Sequence, residues 1–447
     1  MSDNGFEFNS RAVIDQYGNR FELAGELARG GQGVVYRTTD PDIAIKQPLD
    51  SQGKPDKSVS LQENFARIRC LPLPANLHIS LPVSILKDEP GYAMKLLNEM
   101  KPFGSFYLNG EDKDRLMKQP VPQWLSDMPS KENALPLMFY AETGSSKRRH
   151  YALYKCAALL ARLHAAGIVY GDISPNNAFI GEGEPCEVWL IDADNLRFER
   201  SKGGQSVYSP HYGAPEIVRG LDSSRPYSDI WAFSVMSFEM LALTHPFIGR
   251  AVLEPDEDEG GWDSDEEIAD DGRPSDLDEQ ADMGYLPFID DELDDSNEGV
   301  TGLPRELVMT PFLRRLYQET LGRGREKYWR RTSLMLWAVG FARAHDEMVV
   351  CPECKMSYRS EGKACPFCGE RRPVIVYAKT SRWTMALQSQ DGANRFEAFL
   401  PHRLFHSFSL EHSDETEYEA VIDMSNRSVE PVRGTRGFPA NLKFEFA

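Results

Sequence analysis

The sequence predicts an α+β fold: a bilobal domain, strand-rich first and helical second, then a four-cysteine zinc ribbon, then a small all-β C-terminal module. Three observations carry this. Period-two runs around a glycine turn give way to long helical runs, two Cys-x-x-Cys pairs stand at 351–354 and 365–368, and beyond Val374 the pattern returns to period two. At 447 residues the chain is long enough for two or three domains, so burial is not limiting.

Residues 1–20 read as an N-terminal extension, and residues 21–100 as the first lobe. Apolar and polar positions alternate over 21–47 around Gly30-Gly31-Gln32-Gly33, which predicts a hairpin followed by a third strand ending at Lys46. Leu61 to Ile68 has helical spacing, and Leu81 to Leu97 reads as two more strands. The second lobe covers 101–345. Lys147 to Ala166 is periodic at 3.6 and stops at Gly167, a C-cap residue, while Asp229 to Thr244 is a strongly apolar helix and helices resume from Thr310 to His345. The ribbon spans 349–372 and the β module 373–447, with strands expected at Val374 to Tyr377, Thr384 to Leu387 and Glu417 to Ile422.

The formal charge of −19 is local. Residues 254–298 hold 21 acids and one base, Arg273, and the rest of the chain has 48 acids against 49 bases. No Lys/Arg cluster points to nucleic acid. This acidic insertion is expected to be disordered over Glu254 to Asp282, because it repels itself and has little to bury, with Gly284-Tyr285-Leu286-Pro287-Phe288-Ile289 as an apolar island able to dock on the second lobe or on a partner. The polar, acidic Met1 to Ser10 lacks a signal-peptide pattern, and the apolar run Ile230 to Leu243 is too short to span a bilayer and contains Glu239. A cytoplasmic location is the expectation. Cys70, Cys156 and Cys186 are isolated and read as buried thiols.

The chemistry lies in five short runs. Leu27-Ala28-Arg29-Gly30-Gly31-Gln32-Gly33-Val34-Val35-Tyr36 is a glycine-rich turn, where the absence of Cβ lets backbone approach phosphates. Ile43-Ala44-Ile45-Lys46 ends in a lysine. Tyr170-Gly171-Asp172-Ile173-Ser174-Pro175-Asn176-Asn177 is followed by Leu190-Ile191-Asp192-Ala193-Asp194, then by Ala214-Pro215-Glu216. In this order and spacing the runs resemble the protein kinases.

The resemblance covers about residues 21–345 and implies a Ser/Thr protein kinase using ATP and Mg²⁺. It implies that Gly30, Gly31, Gly33 and Val35 cradle the nucleotide and that Lys46 binds its phosphates. Glu63 would be the helix acid that pairs with Lys46, Asp172 the catalytic base, and Asn177 and Asp192 the Mg²⁺ ligands. It also implies that Arg331 pairs with Glu216 to anchor the peptide platform and that Asp229 opens the central helix of the second lobe.

Three departures stand out. Tyr170-Gly171 replaces His-Arg, Ser174 replaces a lysine, and Asp192-Ala193-Asp194 replaces Asp-Phe-Gly. Ala28 in place of the first loop glycine, Ser174 and the lost arginine keep a nucleotide-binding pseudokinase scaffold open, and the Gly171-Asp172 pair keeps a small-molecule kinase open. The segment between Asp192 and Ala214 offers Ser201, Ser206, Tyr208, Ser209 and Tyr212 as autophosphorylation sites.

Cys351-Pro352-Glu353-Cys354 and Cys365-Pro366-Phe367-Cys368-Gly369 can each present two thiolates from a tight turn, a closed structural Zn²⁺ set. Taken with the glycine loop, the Gly-Asp-Ile-Ser-Pro-Asn-Asn run and the Pro-Phe-Ile-Asp-Asp island, this ribbon makes the chain similar to bacterial kinases of the tellurite-resistance-associated phosphorylation triad. That narrower resemblance implies a von Willebrand A-type protein and a 2C-class phosphatase as partners, beside a protein substrate.

Overall fold

The computed structural model describes residues 11–30, 33–50, 52–57, 59–182, 186–199, 208–255, 274–381, 383–388, 393–397, 417–433, 437–438 and 440–447. Gly31, Ser201, Ser206 and the acidic run 256–273 lie outside them.

The first lobe is an antiparallel sheet in the order β1-β2-β3-β4-β6-β5, built from β1 (Ala12–Ile14), β2 (Arg20–Gly30), β3 (Gly33–Thr38), β4 (Ile43–Pro48), β5 (Pro82–Ile85) and β6 (Tyr92–Lys95). The expected N-terminal extension is therefore partly sheet, since Val13 opposite Phe21 is buried against Ile45, Leu86 and Ala93. Alternation along β4 sends Ile45 to that side and Ala44 and Lys46 to the other, where Tyr92 and Met94 also lie. Helix α1 (Val59–Arg69) covers this second face with Phe65 and Ile68, and the Phe65 and Tyr92 rings meet edge to face at 4.6 Å.

A small sheet begins the second lobe: β7 (Met100–Pro102) pairs with β9 (Ala178–Gly181), which pairs with β10 (Val188–Leu190). Two backbone bonds, Ser80 N–H to Leu190 O and Leu190 N–H to His78 O, tie it to the first lobe. Helices α2 (Gly110–Met117) and α3 (Lys131–Glu142) follow, then α4 (Ser145–Ala165), which leads through the two-residue β8 (Ile168–Val169) into the Asp172 loop. Gly167, at φ 71°, ends α4 as its position suggests. The segment then runs through β11 (Arg197–Phe198) and α5 (Pro215–Val218) into α6 (Pro226–Ala242), buried on nearly all sides.

The acidic insertion is less featureless than its composition implies. Leu277–Asp282, inside the stretch expected to be disordered, is a helix capped by Asp276 accepting the Glu279 N–H at 2.8 Å. The island docks on the lobe. Phe288 is 1% exposed and meets Phe238 edge to face at 5.2 Å, and Asn297 donates to Phe247 O and Pro287 O, both at 2.9 Å.

The four-cysteine segment is bonded to the second lobe rather than hung from it. Gly144 precedes α4 without a side-chain cap, and the missing acceptor comes from 210 residues further on: Ser357 Oγ accepts the Lys147 N–H at 2.8 Å while Ser145 Oγ accepts the Ser357 N–H at 2.9 Å. Strands Met348–Val350 and Ser357–Arg359 pair beside this contact. The first sheet of the β module, in the order Thr384–Gln388, Ile375–Lys379, Lys443–Phe446, packs on the same region. Gln388 bonds both Val350 N–H and Val350 O at 3.0 Å, and Trp383 Nε1 donates to Asp346 at 2.6 Å.

Phe288→Ala is expected to destabilise the second lobe by about 3 kcal/mol, from lost burial and the cavity left behind. A thermal or urea unfolding curve indistinguishable from wild type would contradict this docking.

Candidate functional site

The Asp172 loop is set by a carboxylate on α6. Asp229, 2% exposed, accepts the Tyr170 N–H at 2.8 Å, the Gly171 N–H at 2.9 Å and His164 Nε2 at 2.9 Å. Pointing two successive N–H groups at one acceptor places Gly171 at φ 87°, a conformation that glycine adopts without cost. The Tyr170 hydroxyl donates to Ile191 O, and Ile191 N–H to Asn177 O at 3.0 Å, so the loop and the Asp192 segment are held together.

Asp172 emerges from this frame buried, at 5% exposed. Its Oδ1 accepts the Ser209 hydroxyl at 2.8 Å and its Oδ2 accepts Asn177 Nδ2 at 3.2 Å; the same amide also donates to Asp172 O at 2.8 Å. Burial raises the Asp172 pKa above the usual carboxylate range, opposed by the hydrogen bonds from Ser209 and Asn177 and by the charge of Lys46, with Asp192 pushing it further up. With its amide nitrogen committed to Asp172, Asn177 keeps Oδ1 as a cation donor. Asp192 stands at φ 55° with its side chain 23% exposed, and a carboxylate and an amide oxygen are the hard donors that Mg²⁺ takes.

Lys46 Nζ, whose side chain is 4% exposed, lies 2.7 Å from Asp192 Oδ1 and 2.7 Å from Asp194 Oδ2. The expected partner Glu63 does not meet it. Glu63 is exposed on α1, and the next residue, Asn64, is the one turned inward, donating to Asp194 O at 3.0 Å. The register of the helix, one residue off the expectation, is the reason.

In the glycine loop, Gly30 faces Gly33 across the β2–β3 pair, and Val35 lies opposite Lys46 on β4. A Cβ on Gly33 would stand 2.8 Å from Gln47 O, so the close strand behind it already requires glycine there.

The platform residues meet. Arg331 and Glu216 form a two-pronged pair, NH1 to Oε1 at 2.6 Å and NH2 to Oε2 at 2.7 Å, with Arg331 Nε donating to Gly324 O and the guanidinium 4.7 Å from the Trp231 ring centre. Of the residues read as autophosphorylation sites, Ser209 is bonded to Asp172 and Tyr212 donates to Glu239 at 2.7 Å, so both hydroxyls are structural in this state; Tyr208 is exposed. Sequence reasoning missed Ser209 as part of the site and gave Asp194 no role. The one available signal for Asp194 was an acid two positions after Asp192.

Among the described residues the four cysteines form a second site. Their Sγ atoms all lie within 4.8 Å of one another, Cys351 and Cys368 at 3.5 Å and Cys354 and Cys365 at 3.6 Å. Four sulfurs held tetrahedrally about 2.3 Å from one cation stand about 3.8 Å apart, so the set fits such an ion. All but the partly exposed Cys368 are buried, and no open position suggests catalysis.

A sheet lobe joined to a helical lobe, a lysine on β4 and an Asp/Asn loop facing a second Asp form an arrangement of the protein kinase type. Comparison with known proteins agrees. Residues 137–268 match the family described as the protein kinase domain. The chain is 37% identical over 91 residues to the G2-specific protein kinase fin1 of Schizosaccharomyces pombe, covering 20% of this chain and 12% of that protein. It is 31% identical over 114 residues to mitogen-activated protein kinase 12 of Danio rerio (26% and 31%), and 34% identical over 84 residues to the probable serine/threonine-protein kinase KCC4 of Saccharomyces cerevisiae (19% and 8%). The chain thus spans less than a third of each of these relatives. These matches support a protein kinase fold, and the relatives are named as protein kinases, KCC4 as a probable serine/threonine kinase. No helix among the described residues is long and apolar enough to cross a membrane.

Asp229→Ala is expected to leave two buried N–H groups without an acceptor, costing about 3 kcal/mol and loosening the Asp172 loop. Unchanged stability together with unchanged amide exchange at Tyr170 and Gly171 would contradict this assignment.

Proposed function

We propose that the chain transfers the γ-phosphate of Mg-ATP to a serine or threonine hydroxyl of a protein substrate, with Asp172 as the base. The observation that carries the reading is the bonding of Asp172: Asn177 holds one carboxylate oxygen and Ser209, six residues before Pro215, holds the other. A substrate hydroxyl replacing the Ser209 hydroxyl at Oδ1 would be oriented by the same carboxylate that takes its proton. Asp192 and Asn177 would hold Mg²⁺, which when bound neutralises phosphate charge. Lys46 supplies a buried cation to the phosphates, and Gly30, Gly33 and Val35 would roof the nucleotide. The Glu216–Arg331 pair keeps the peptide platform in place beside Ser209.

The four cysteines are read as a structural Zn²⁺ site that steadies the contact with α4. Resemblance to the tellurite-associated triad supports a cytoplasmic bacterial setting, with a von Willebrand A-type protein and a 2C-class phosphatase as partners. The rival is a nucleotide-binding scaffold, supported by the placement of Ser174, 4% exposed, where a lysine is usual.

Incubation with γ-labelled ATP and Mg²⁺ tests the reading. Label on Ser or Thr should fall by a factor on the order of 10³ in Asp172→Ala. Equal labelling would refute the base assignment, and nucleotide binding with no transfer to any protein would favour the scaffold.

Because the base must be ionised, activity should fall as pH drops through the raised pKa of Asp172. Ser209→Ala removes a bond that lowers that pKa in the free enzyme, so the acid limb of the kcat/KM profile should move to higher pH. An unmoved limb would show that another group governs it.

Removing the cysteine-bound cation with a chelator, with Mg²⁺ kept in excess, should speed amide exchange over 349–372 and leave nucleotide affinity unchanged. A segment equally protected after complete metal removal would rule out the structural cation.

A further inference from the structure

The acid that positions a phosphate-binding lysine in protein kinases ordinarily comes from the helix of the first lobe. Here that helix offers no carboxylate to Lys46. Glu63 is exposed, and the inward residue of α1, Asn64, is an amide spent on a backbone carbonyl. We infer that Asp194, on the second-lobe segment two residues beyond Asp192, is the acid that positions Lys46, and that α1 supports the pair without forming it. The inference rests on the kinase reading.

The geometry assigns each oxygen of Asp194. Oδ2 takes Lys46 Nζ at 2.7 Å, and Oδ1 accepts the hydroxyl of fully buried Tyr92 at 2.8 Å. Tyr92 is itself fixed, paired to Lys46 in the β4–β6 register and packed on Phe65 at 4.6 Å. With Asn64 Nδ2 on its carbonyl, Asp194 is held at three points, two from the sheet and one from α1. Asp192, by contrast, shares Lys46 in this state but is also the residue with metal-ligand chemistry. When a cation engages Asp192, Asp194 still has Lys46. The two carboxylates thus divide roles that the Asp-Phe-Gly pattern, with its glycine at this place, leaves to an acid on another element. One consequence distinguishes the arrangement: a shift of α1 does not break the ion pair, so the lysine stays positioned.

Asp194 is a positioning residue, and the test reads more than lost activity. Affinity for Mg-ADP by calorimetry, and the KM for ATP and kcat of transfer, are measured for wild type, Asp194→Asn, Asp194→Glu, Lys46→Ala, Glu63→Gln and the double variant Lys46→Ala/Asp194→Asn. Thermal unfolding of each checks its fold. Asp194→Asn should weaken Mg-ADP binding and raise KM about tenfold, Asp194→Glu should recover part of the loss, and Glu63→Gln should stay within about twofold. The double variant should be no worse than Lys46→Ala, because both changes remove one interaction.

Additive losses in the double variant, recovery of Asp194→Asn by excess Mg²⁺, or an equal loss in Glu63→Gln would overturn the assignment; the second would make Asp194 a metal ligand. Should Asp194→Asn unfold, Tyr92→Phe serves in its place, with a smaller loss expected that Lys46→Ala abolishes, and additivity there overturns the inference equally. The two readings fail separately. Nucleotide binding with this coupling but no transfer would sink the kinase activity and keep the Lys46–Asp194 pair, while transfer without the coupling would do the reverse. A wild-type chain that binds no nucleotide overturns both.

Discussion

The carboxylate of Asp229 is the constraint from which the site follows. A buried acid facing two backbone N–H groups and an imidazole needs all three, because none can be replaced by water at 2% exposure. It fixes the turn at Gly171, the turn fixes where Asp172 leaves the backbone, and Asn177, donating to both the carbonyl and the carboxylate of Asp172, closes the loop five residues on. The apolar environment of α6 makes the constraint strong. A loop otherwise poor in regular structure is as well determined as a helix.

The same logic governs the other buried charges. Arg149, fully buried in α4, donates to Met240 O, Ser145 O, Phe106 O and Thr143 and lies over the Tyr140 ring at 3.9 Å. Arg331 is shared between Glu216, Gly324 O and Tyr227 O. Each cation joins segments distant in sequence, and each is costly to bury unless every donor finds its place. Such groups specify an arrangement more than they add stability, which suits a site where a fraction of an ångström matters.

How much of this could be read in the sequence depended on the range over which each feature is encoded. The Asp172–Asn177 run, Asp192, Lys46 and the cysteine pairs are local motifs whose chemistry is carried by spacing, and the structure brings them together. The partner of Lys46 was not legible, because adjacent helix positions differ by about 100° in direction and Glu63 beside Asn64 gives no sign of which turns inward. Asp194 was hidden for another reason. Its direction depends on the left-handed backbone of Asp192, and its hold on Tyr92 spans 102 residues. Composition overreached at the acidic insertion, where charge density masked the cap at Asp276 and the helix after it, and it missed the strand Ala12–Ile14, too short for its pattern to register.

The bond between Ser357 and the start of α4 bears on what counts as a unit in this chain. By sequence, the kinase-like part is expected to end near residue 345 and a separate ribbon to begin. Physically, the first turn of the helix that delivers the Asp172 loop is completed by a side chain supplied after that boundary. Because the chain is made from its N-terminus, the helix emerges from the ribosome some two hundred residues before the side chain that caps it. An excision at the apparent boundary would separate a helix from its terminus, and the ribbon is better regarded as the last-made piece of the second lobe.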